Sequence, residues 1–301
     1  MQIIAIILTF NEEKHLSRCI DSLKGVVDKI IVVDSFSNDN TVNIAKSAGA
    51  IVLQNKWVNH ATQFNWALSE IDIDTKWVLR IDADEILSQK LRDQIKSDLP
   101  LIPTDVDGIS FNRFMTFQGN LIRHGGVFPV QVLRLFRYGR GQSELRWMDE
   151  HIKVLGKVVN FSGELIDDNL NFLSWWIQKH NNYASLEAVD LLSYEFKLIV
   201  LESGAPTTEN LKLIMKQQFK KYIYLMLPMG IRAMLYFLYR FIFCLGFLDG
   251  WSGVTFHFFQ GFWYRFLVDA KIIEVKRYMK NNQVNVKYAI KEVLGINVEP
   301  Q

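Results

Sequence analysis

Three Asp-x-Asp pairs in this chain have the oxygen chemistry to hold a divalent cation: Asp72-Ile73-Asp74, Asp82-Ala83-Asp84 and Asp105-Val106-Asp107. Only the middle pair closes a run that reads as a buried strand, "WVLRIDADEIL" at 77–87. Carboxylates buried there without partners would be costly, so a partner has to be supplied. Hard oxygen ligands suit Mg2+ or Mn2+, which commonly bridge a carboxylate and a diphosphate. Asp82 and Asp84 are therefore the candidate metal residues. Glu85, the third acid, is expected to help hold the loop. Other polar side chains follow earlier apolar runs: Thr9, Asn11 and Glu12 after the first, Asp34 after the second. Such a carboxylate and amide cluster suits a nucleoside, because Asp accepts from a base N–H or a ribose hydroxyl. Phe10 offers the base an apolar surface. Neither GxxxxGK[ST] nor GxGxxG follows the first strand, so the expected route to neutralising a phosphate is the cation.

The elements that would bring these residues together alternate strand and helix. "IIAIIL" is a continuous apolar run, as expected of a strand covered on both faces. The segment after it has Leu16, Cys19, Ile20 and Leu23 at helical spacing, with Asn11 as its expected cap. "KIIVVD" and "AIVLQ" read as the second and third strands, and "KWVLRID" as the fourth, with helices from Thr41 and over 61–71 between them. This rhythm predicts a parallel α/β sheet whose ligands bind at the carboxyl ends of the strands. Beyond about residue 108 longer β segments take over, and 150–163 reads as a further hairpin. A helix is expected from Phe172 to about Lys197, and "ESGAPTTEN" at 202–210 reads as a linker.

At 301 residues, 49% hydrophobic and 22% charged, the chain is globular in composition. Its net charge of +2 argues neither for nor against nucleic acid, and none is expected as a partner. Cys19 and Cys244 make neither a disulfide framework nor metal-ligand spacing, which fits a reducing cytoplasm. "MQIIAIILTFNEE" has no basic region before its apolar stretch and reads as a strand, not a signal peptide. From about 220 the sequence turns aromatic and aliphatic. Its longest charge-free run, Gly250–Tyr264, has 15 residues, short of the ~18 needed to span a bilayer. Arg232, Arg240 and Arg265 punctuate these stretches, which suits a segment lying in a membrane interface. A buried helical subdomain or an oligomer interface is the alternative.

"IILTFNEEKHLSRCIDSL", "IIVVDSFSNDNT" and "WVLRIDADE" together resemble glycosyltransferase family 2, with its nucleotide-sugar-binding GT-A fold. "VLRLFR", "DEH" (149–151) and "KHNNYASLEA" continue the resemblance. "GFLDGWSG…WYRFLVDAKIIE" is similar to the tail of lipopolysaccharide-core and other surface-polysaccharide members. The resemblance implies nucleotide contacts at Thr9, Asn11, Glu12 and Asp34, with Asp34 near the base. Asp82 and Asp84 would meet ribose, metal and diphosphate, with Asp84 in direct contact with the metal. It also implies a catalytic base in "DEH", where Glu150 is favoured and Asp149 competes. Two departures stand out. Relatives often carry a basic residue before the asparagine of "QFNWAL", where this chain has Phe64; Gln63, Arg80, Arg134 or Arg137 would take that part. Where many relatives place a further metal-binding histidine, "GELIDDNL" offers Asp167 and Asp168.

The expectation is a GT-A α/β domain over 1–200 and an amphipathic helical region over 201–301 that docks on the cytoplasmic face of the inner membrane. The expected reaction is metal-dependent, inverting transfer of a sugar from a UDP-linked donor to a glycan or lipid-linked acceptor. Homo-oligomerisation is left open. A nucleotidyltransferase is the enzymatic alternative, although such enzymes usually hold a triphosphate on a Gly-rich or basic loop where "TFNEE" is acidic. A membrane-associated scaffold is the non-enzymatic one.

Overall fold

The computed structural model describes residues 2–71, 75–144, 151–196, 198 and 227–298. They form two compact units, 1–172 and 173–301.

In the first unit, β1 (Ile3–Thr9) is apolar from Ile3 to Leu8 because both of its faces are covered. Alternate residues point to opposite faces of a strand. Ile3, Ala5 and Ile7 accordingly pack with Leu16, Cys19, Ile20 and Leu23 of α1 (Leu16–Leu23). Ile4 and Ile6 pack instead with Phe64 and Ala67 of α3 (His60–Ser69). Two further strands, β2 (Lys29–Asp34) and β4 (Trp77–Asp82), flank β1 in parallel. Register then does the positioning. Thr9 lies beside Asp34 and Leu8 beside Asp82, so the polar ends of three strands form one row. Helix α2 (Thr41–Ser47) leads to β3 (Ile51–Gln54), which extends the parallel sheet past β2.

Beyond β4 the sheet becomes mixed. The short β5 (Glu85–Leu87) and α4 (Gln89–Asp98) lead to β6 (Val106–Phe117), with β7 (Asn120–Leu121) folded back on it. Strand β8 (Val130–Arg137) runs antiparallel between β4 and β6. The full order is β3-β2-β1-β4-β8-β6-β11-β5, where β11 is Lys157–Asp167. The hairpin expected over 150–163 does not form. Strand β10 (Ile152–Val154) pairs with β9 (Gly141–Ser143), while β11 runs parallel to β6. Gly156 sits between them. A Cβ there would lie 2.6 Å from the Asp107 carboxylate, so glycine lets the chain pass close to β6. Asn11 does not cap α1 either. Its φ is +57°, its side-chain oxygen accepts from the Asn38 N–H, and His15 takes the cap position.

The second unit is helical. Helix α5 (Leu173–Glu195) buries Ala184, Ala188 and Leu192 in one cluster with Val268, Ile272 and Val275 of α8 (Tyr264–Asn282) and with Ala289 and Ile290 of α9 (Val286–Leu294). Helix α5 therefore groups with the C-terminal helices, and the division falls at 172/173 where 200/201 was expected. Between them, α6 (Ile231–Leu238) continues as a π-turn to Phe243, and α7 (Gly250–Phe256) continues as another to Trp263. At the bend joining the two, a Cβ on Gly246 would lie 2.4 Å from the His257 ring, and one on Gly253 would lie 2.5 Å from the Gly246 carbonyl. Only hydrogen fits at either place. Among the described residues no single helix is long and apolar enough to cross a membrane. Ile231–Phe243 with Gly246–Asn282, bent by 72°, meets that length and composition as a pair.

Candidate active site

The carboxyl ends of β1, β2 and β4 converge with the start of β8 and the end of β11, because β8 runs against β4 and β11 runs with β6. Of the Asp-x-Asp pairs among the described residues, Asp82 and Asp84 alone are found at this row. Asp105 immediately precedes β6 at the far end, where it meets Lys157 at 2.6 Å, and 72–74 lie outside the described residues.

The two aspartates have different surroundings. Asp82 Oδ2 accepts from Arg134 Nη2 at 2.8 Å, and Arg80 Nε lies 4.0 Å from Oδ1. Burial opposes ionisation of Asp82, but the charges of Arg134 and then Arg80 outweigh it and hold the carboxyl far below the usual range. Arg134 also meets buried Glu85 at 2.5 Å, and the other Glu85 oxygen accepts the Asp82 N–H at 3.0 Å. Glu85 thus locks the turn from beneath, as expected. Asp84 has lighter engagement: Oδ2 accepts from Asn169 Nδ2 at 3.0 Å, and its backbone carbonyl accepts from the Asp168 N–H at 2.9 Å. Its second carboxylate oxygen has no hydrogen-bond partner among the described residues.

Asp167 ends β11 opposite Glu85 in the sheet register. Burial and then the negative charge of Asp84 push its carboxyl up to about 8, with Arg113 opposing. Asp168 is already committed, to Arg18 and to the Thr116 hydroxyl. Burial raises its pKa, but hydrogen bonds from Thr116 and Arg18 outweigh that and lower it. The segment carrying both aspartates is held by the start of α1. Arg18 donates to the Asp168 side chain and carbonyl, and Lys14 donates to Asn171 at 3.3 Å. Buried His15 receives the Leu170 N–H on Nε2 at 2.9 Å, which leaves its Nδ1 to donate to Glu12 at 2.6 Å.

The nucleotide candidates divide into structural and open groups. Asp34 is fully buried, and its two oxygens accept from Thr9 Oγ1, Ser37 Oγ, the Ser37 N–H and Gln54 Nε2, which ties the ends of three strands together. Asn11 donates its N–H to Ser37, and the Glu12 N–H goes to Thr41. Phe10 stands exposed at the end of β1, and Phe36 does the same after β2. Phe36 has a φ of +60°, a conformation costing roughly 1–2 kcal/mol in a bulky residue. Sequence reading passed over Phe36, although one aromatic residue inside the polar turn "SFSNDN" was the available signal.

Gln63 is buried, with its amide donating to the Asn55 carbonyl and Ser35 and its oxygen accepting from Asn55. Arg137 packs over Trp77 at the opposite end of β4. Of the four substitutes for a basic diphosphate contact, Arg134 and Arg80 lie against Asp82 and Gln63 reaches Ser35 beside Asp34, while Arg137 is at the far end. Asp149 and Glu150 lie outside the described residues. The β9–β10 pairing flanks them, and Asn65 of α3 grips β9 twice, donating to the Ser143 carbonyl and accepting the Ser143 N–H, each at 2.9 Å.

Can these residues hold a divalent cation? Among the described residues no group of three or more His, Cys, Asp and Glu side chains forms a ready cage. Mg2+ and related ions, however, take one or two protein carboxylates and complete their shell with phosphate and water. Asp84 with an open oxygen, beside an Asp167 whose ionisation it suppresses, is such a donor set. Asp82 is already balanced by Arg134, which suits it to accept from a ribose hydroxyl.

Residues 4–139 match the family described as glycosyl transferase family 2. The lipopolysaccharide core biosynthesis glycosyltransferase LpsC of Rhizobium meliloti is 31% identical over 191 residues, covering 61% of this chain and 69% of that protein. An uncharacterized glycosyltransferase of Rickettsia typhi is 48% identical over 90 residues, 30% of each chain. The match thus spans about a third of that relative's length. Glucosyl-3-phosphoglycerate synthase from Mycobacterium tuberculosis, solved with Mn2+, UDP and glucosyl-3-phosphoglycerate, is similar over 37% of this chain and 44% of its own, at 24% identity and a TM-score of 0.31. The chain belongs to glycosyltransferase family 2, and its mixed sheet flanked by helices is the GT-A fold.

Proposed function

We propose that the chain transfers a sugar from a UDP-linked donor to a hydroxyl of a glycan or lipid-linked acceptor, with inversion, in surface-polysaccharide synthesis at the cytoplasmic face of the inner membrane. The single observation that carries the chemistry is the unequal pair at the end of β4. Asp82 is neutralised by Arg134, while Asp84 keeps an open oxygen beside Asp167. That asymmetry suits two jobs, ribose recognition at Asp82 and cation binding at Asp84. The likeness to LpsC supports the pathway.

Asp84 and Asp167 would hold Mn2+ or Mg2+, which when bound supplies positive charge to the leaving diphosphate. Phe10 and Phe36 present the apolar faces a base needs, and Asp34 keeps the strand ends fixed beneath them. Glu150, or Asp149, would take the proton from the acceptor hydroxyl as it attacks the anomeric carbon, since that step needs a carboxylate within hydrogen-bond reach. Asn65 steadies the strand that leads to them.

Asp84→Asn tests this reading. Calorimetry with UDP and Mn2+, together with donor hydrolysis and transfer assays, should show wild-type binding and UDP release. The variant should lose transfer by at least about a hundredfold while keeping its fold, the usual cost of removing one stabiliser of developing charge. Wild-type-like transfer by the variant would sink the metal assignment. Pyrophosphate release would indicate nucleotidyl transfer, and no nucleotide binding would indicate a scaffold.

A further inference from the structure

The helical unit has its polarity inverted over the stretch 227–266. Every exposed residue there is aliphatic, aromatic, Met, Gly or Pro, including Ile231, Leu235, Ile242, Phe243, Leu248 and Trp251. Phe243 is 76% exposed and Trp251 78%. Of the four charged residues in this stretch, Arg232 and Arg240 are buried and neither Asp249 nor Arg265 is fully exposed. Arg232 and Asp269 form a buried ion pair, with both Asp269 oxygens 2.9 Å from Arg232 Nε. Arg240 is buried against the Tyr236 and Phe256 rings, and Arg265 meets Glu187 at 2.6 Å. Asp249, the remaining charge of the stretch, is half-buried.

Water does not favour such a surface, and large exposed apolar patches mark interaction sites. Two occupants compete: another protein surface and lipid. Protein interfaces keep a polar, charged rim around their apolar centre, and none is present across the hairpin among the described residues. The helices after the hairpin are basic. From Lys271 to Leu294 the sequence holds six basic residues against two acidic, and Arg277, Lys280, Lys287 and Lys291 are exposed. An apolar wedge followed by basic helices fits a leaflet in which acyl chains lie beneath anionic headgroups. The hairpin is bent by 72° between Ile231–Phe243 and Gly246–Asn282, a bend compatible with a path that enters and leaves on one side.

We infer that the hairpin 227–266 is a one-sided membrane wedge, its bend around Phe243–Trp251 set among acyl chains and α8–α9 resting on anionic phospholipid headgroups. The wedge goes beyond the transfer reaction and is independent of it. UDP binding reads the sheet unit, whereas vesicle binding reads the wedge, so either can fail alone.

The native thiols provide the probe, because Cys244 sits at the bend with partial exposure while Cys19 is buried. Full-length protein carrying an environment-sensitive dye on Cys244 is mixed with phosphatidylcholine vesicles, with and without phosphatidylglycerol. The dye should shift to the blue and the protein should sediment with the anionic vesicles, with binding about tenfold weaker on phosphatidylcholine alone or at high salt. Phe243→Glu combined with Trp251→Glu should abolish sedimentation while leaving UDP binding unchanged. An unshifted dye on labelled wild type overturns the wedge, a readout that holds even where the double variant fails to fold. Self-association of the wild type, relieved in the variant and unaffected by vesicles, would assign the face to a second copy instead.

Discussion

Asp167 is a side chain at the row whose protonation is set by burial and by its neighbour Asp84. Its folded pKa is raised from 3.8 to about 8, by burial and by the charge of Asp84. The folded protein therefore keeps a proton that the unfolded chain releases above about pH 4, and this group lowers stability progressively as pH rises from about 4 to about 8. Asparagine at 167 removes that penalty. In chelator, Asp167→Asn should match wild type near pH 4 and melt higher by pH 8, by roughly 2–4 °C for each kcal/mol relieved in a domain of this size. Adding Mn2+ should then raise the melting temperature of wild type and do little for the variant. Thermal denaturation across pH checks both statements. A flat difference between the two proteins would mean that Asp84 does not press on Asp167. Asp82 has the opposite character, since Arg134 keeps it ionised and leaves it nothing to gain from a cation.

At the scale of elements, strands β1 and β4 were legible because a strand covered on both faces is written as a nearly continuous apolar run, whereas β3 is a half-exposed edge strand that its short apolar run alone marked. Asp82 and Asp84 stood out for the same reason, since position at a strand end separated them from two identical pairs. The hidden features depend on contacts distant in sequence. The Arg134–Glu85 lock spans 49 residues and exists only because β8 inserts between β4 and β6. The 150–163 hairpin was misread because "IKV" and "KVVNF" look like partners, whereas β11 has a longer apolar edge to follow on β6. In the sequence, Asn65 stands out only as the neighbour of a missing basic residue. Its two bonds to Ser143 make it the element-scale support of the β9–β10 pairing. Asn65→Ala should lower kcat for transfer by about 10- to 100-fold, the cost of misplacing a reacting group by about 1 Å. UDP affinity should stay unchanged if, as proposed, the β9–β10 pairing that Asn65 holds serves the acceptor rather than the donor. A fall in UDP affinity instead, with kcat intact, would assign Asn65 to the donor.

The whole molecule combines two units with opposite solutions to charge. In the sheet unit, carboxylates are concentrated at one row, where a ligand can reach them. In the helical unit, Arg232 and Asp269 are sealed inside and only 3% exposed, with the Gly230 N–H also donating to Asp269 at 2.8 Å. A buried pair adds little net stability when intact, but removing one partner leaves an uncompensated buried charge at about 3–5 kcal/mol. Against a total of roughly 5–15 kcal/mol for a typical domain, that loss is large. Asp269→Ala should therefore open the helical unit, while Asp269→Asn, which keeps an acceptor for Gly230 and Arg232, should do so less. Because the sheet unit has its own core, UDP binding by Asp269→Ala should survive as proteolysis of α6–α8 accelerates and vesicle binding disappears. Limited proteolysis followed by calorimetry separates these effects on one sample. Loss of UDP binding together with the helices would show that the two units fold as one cooperative body.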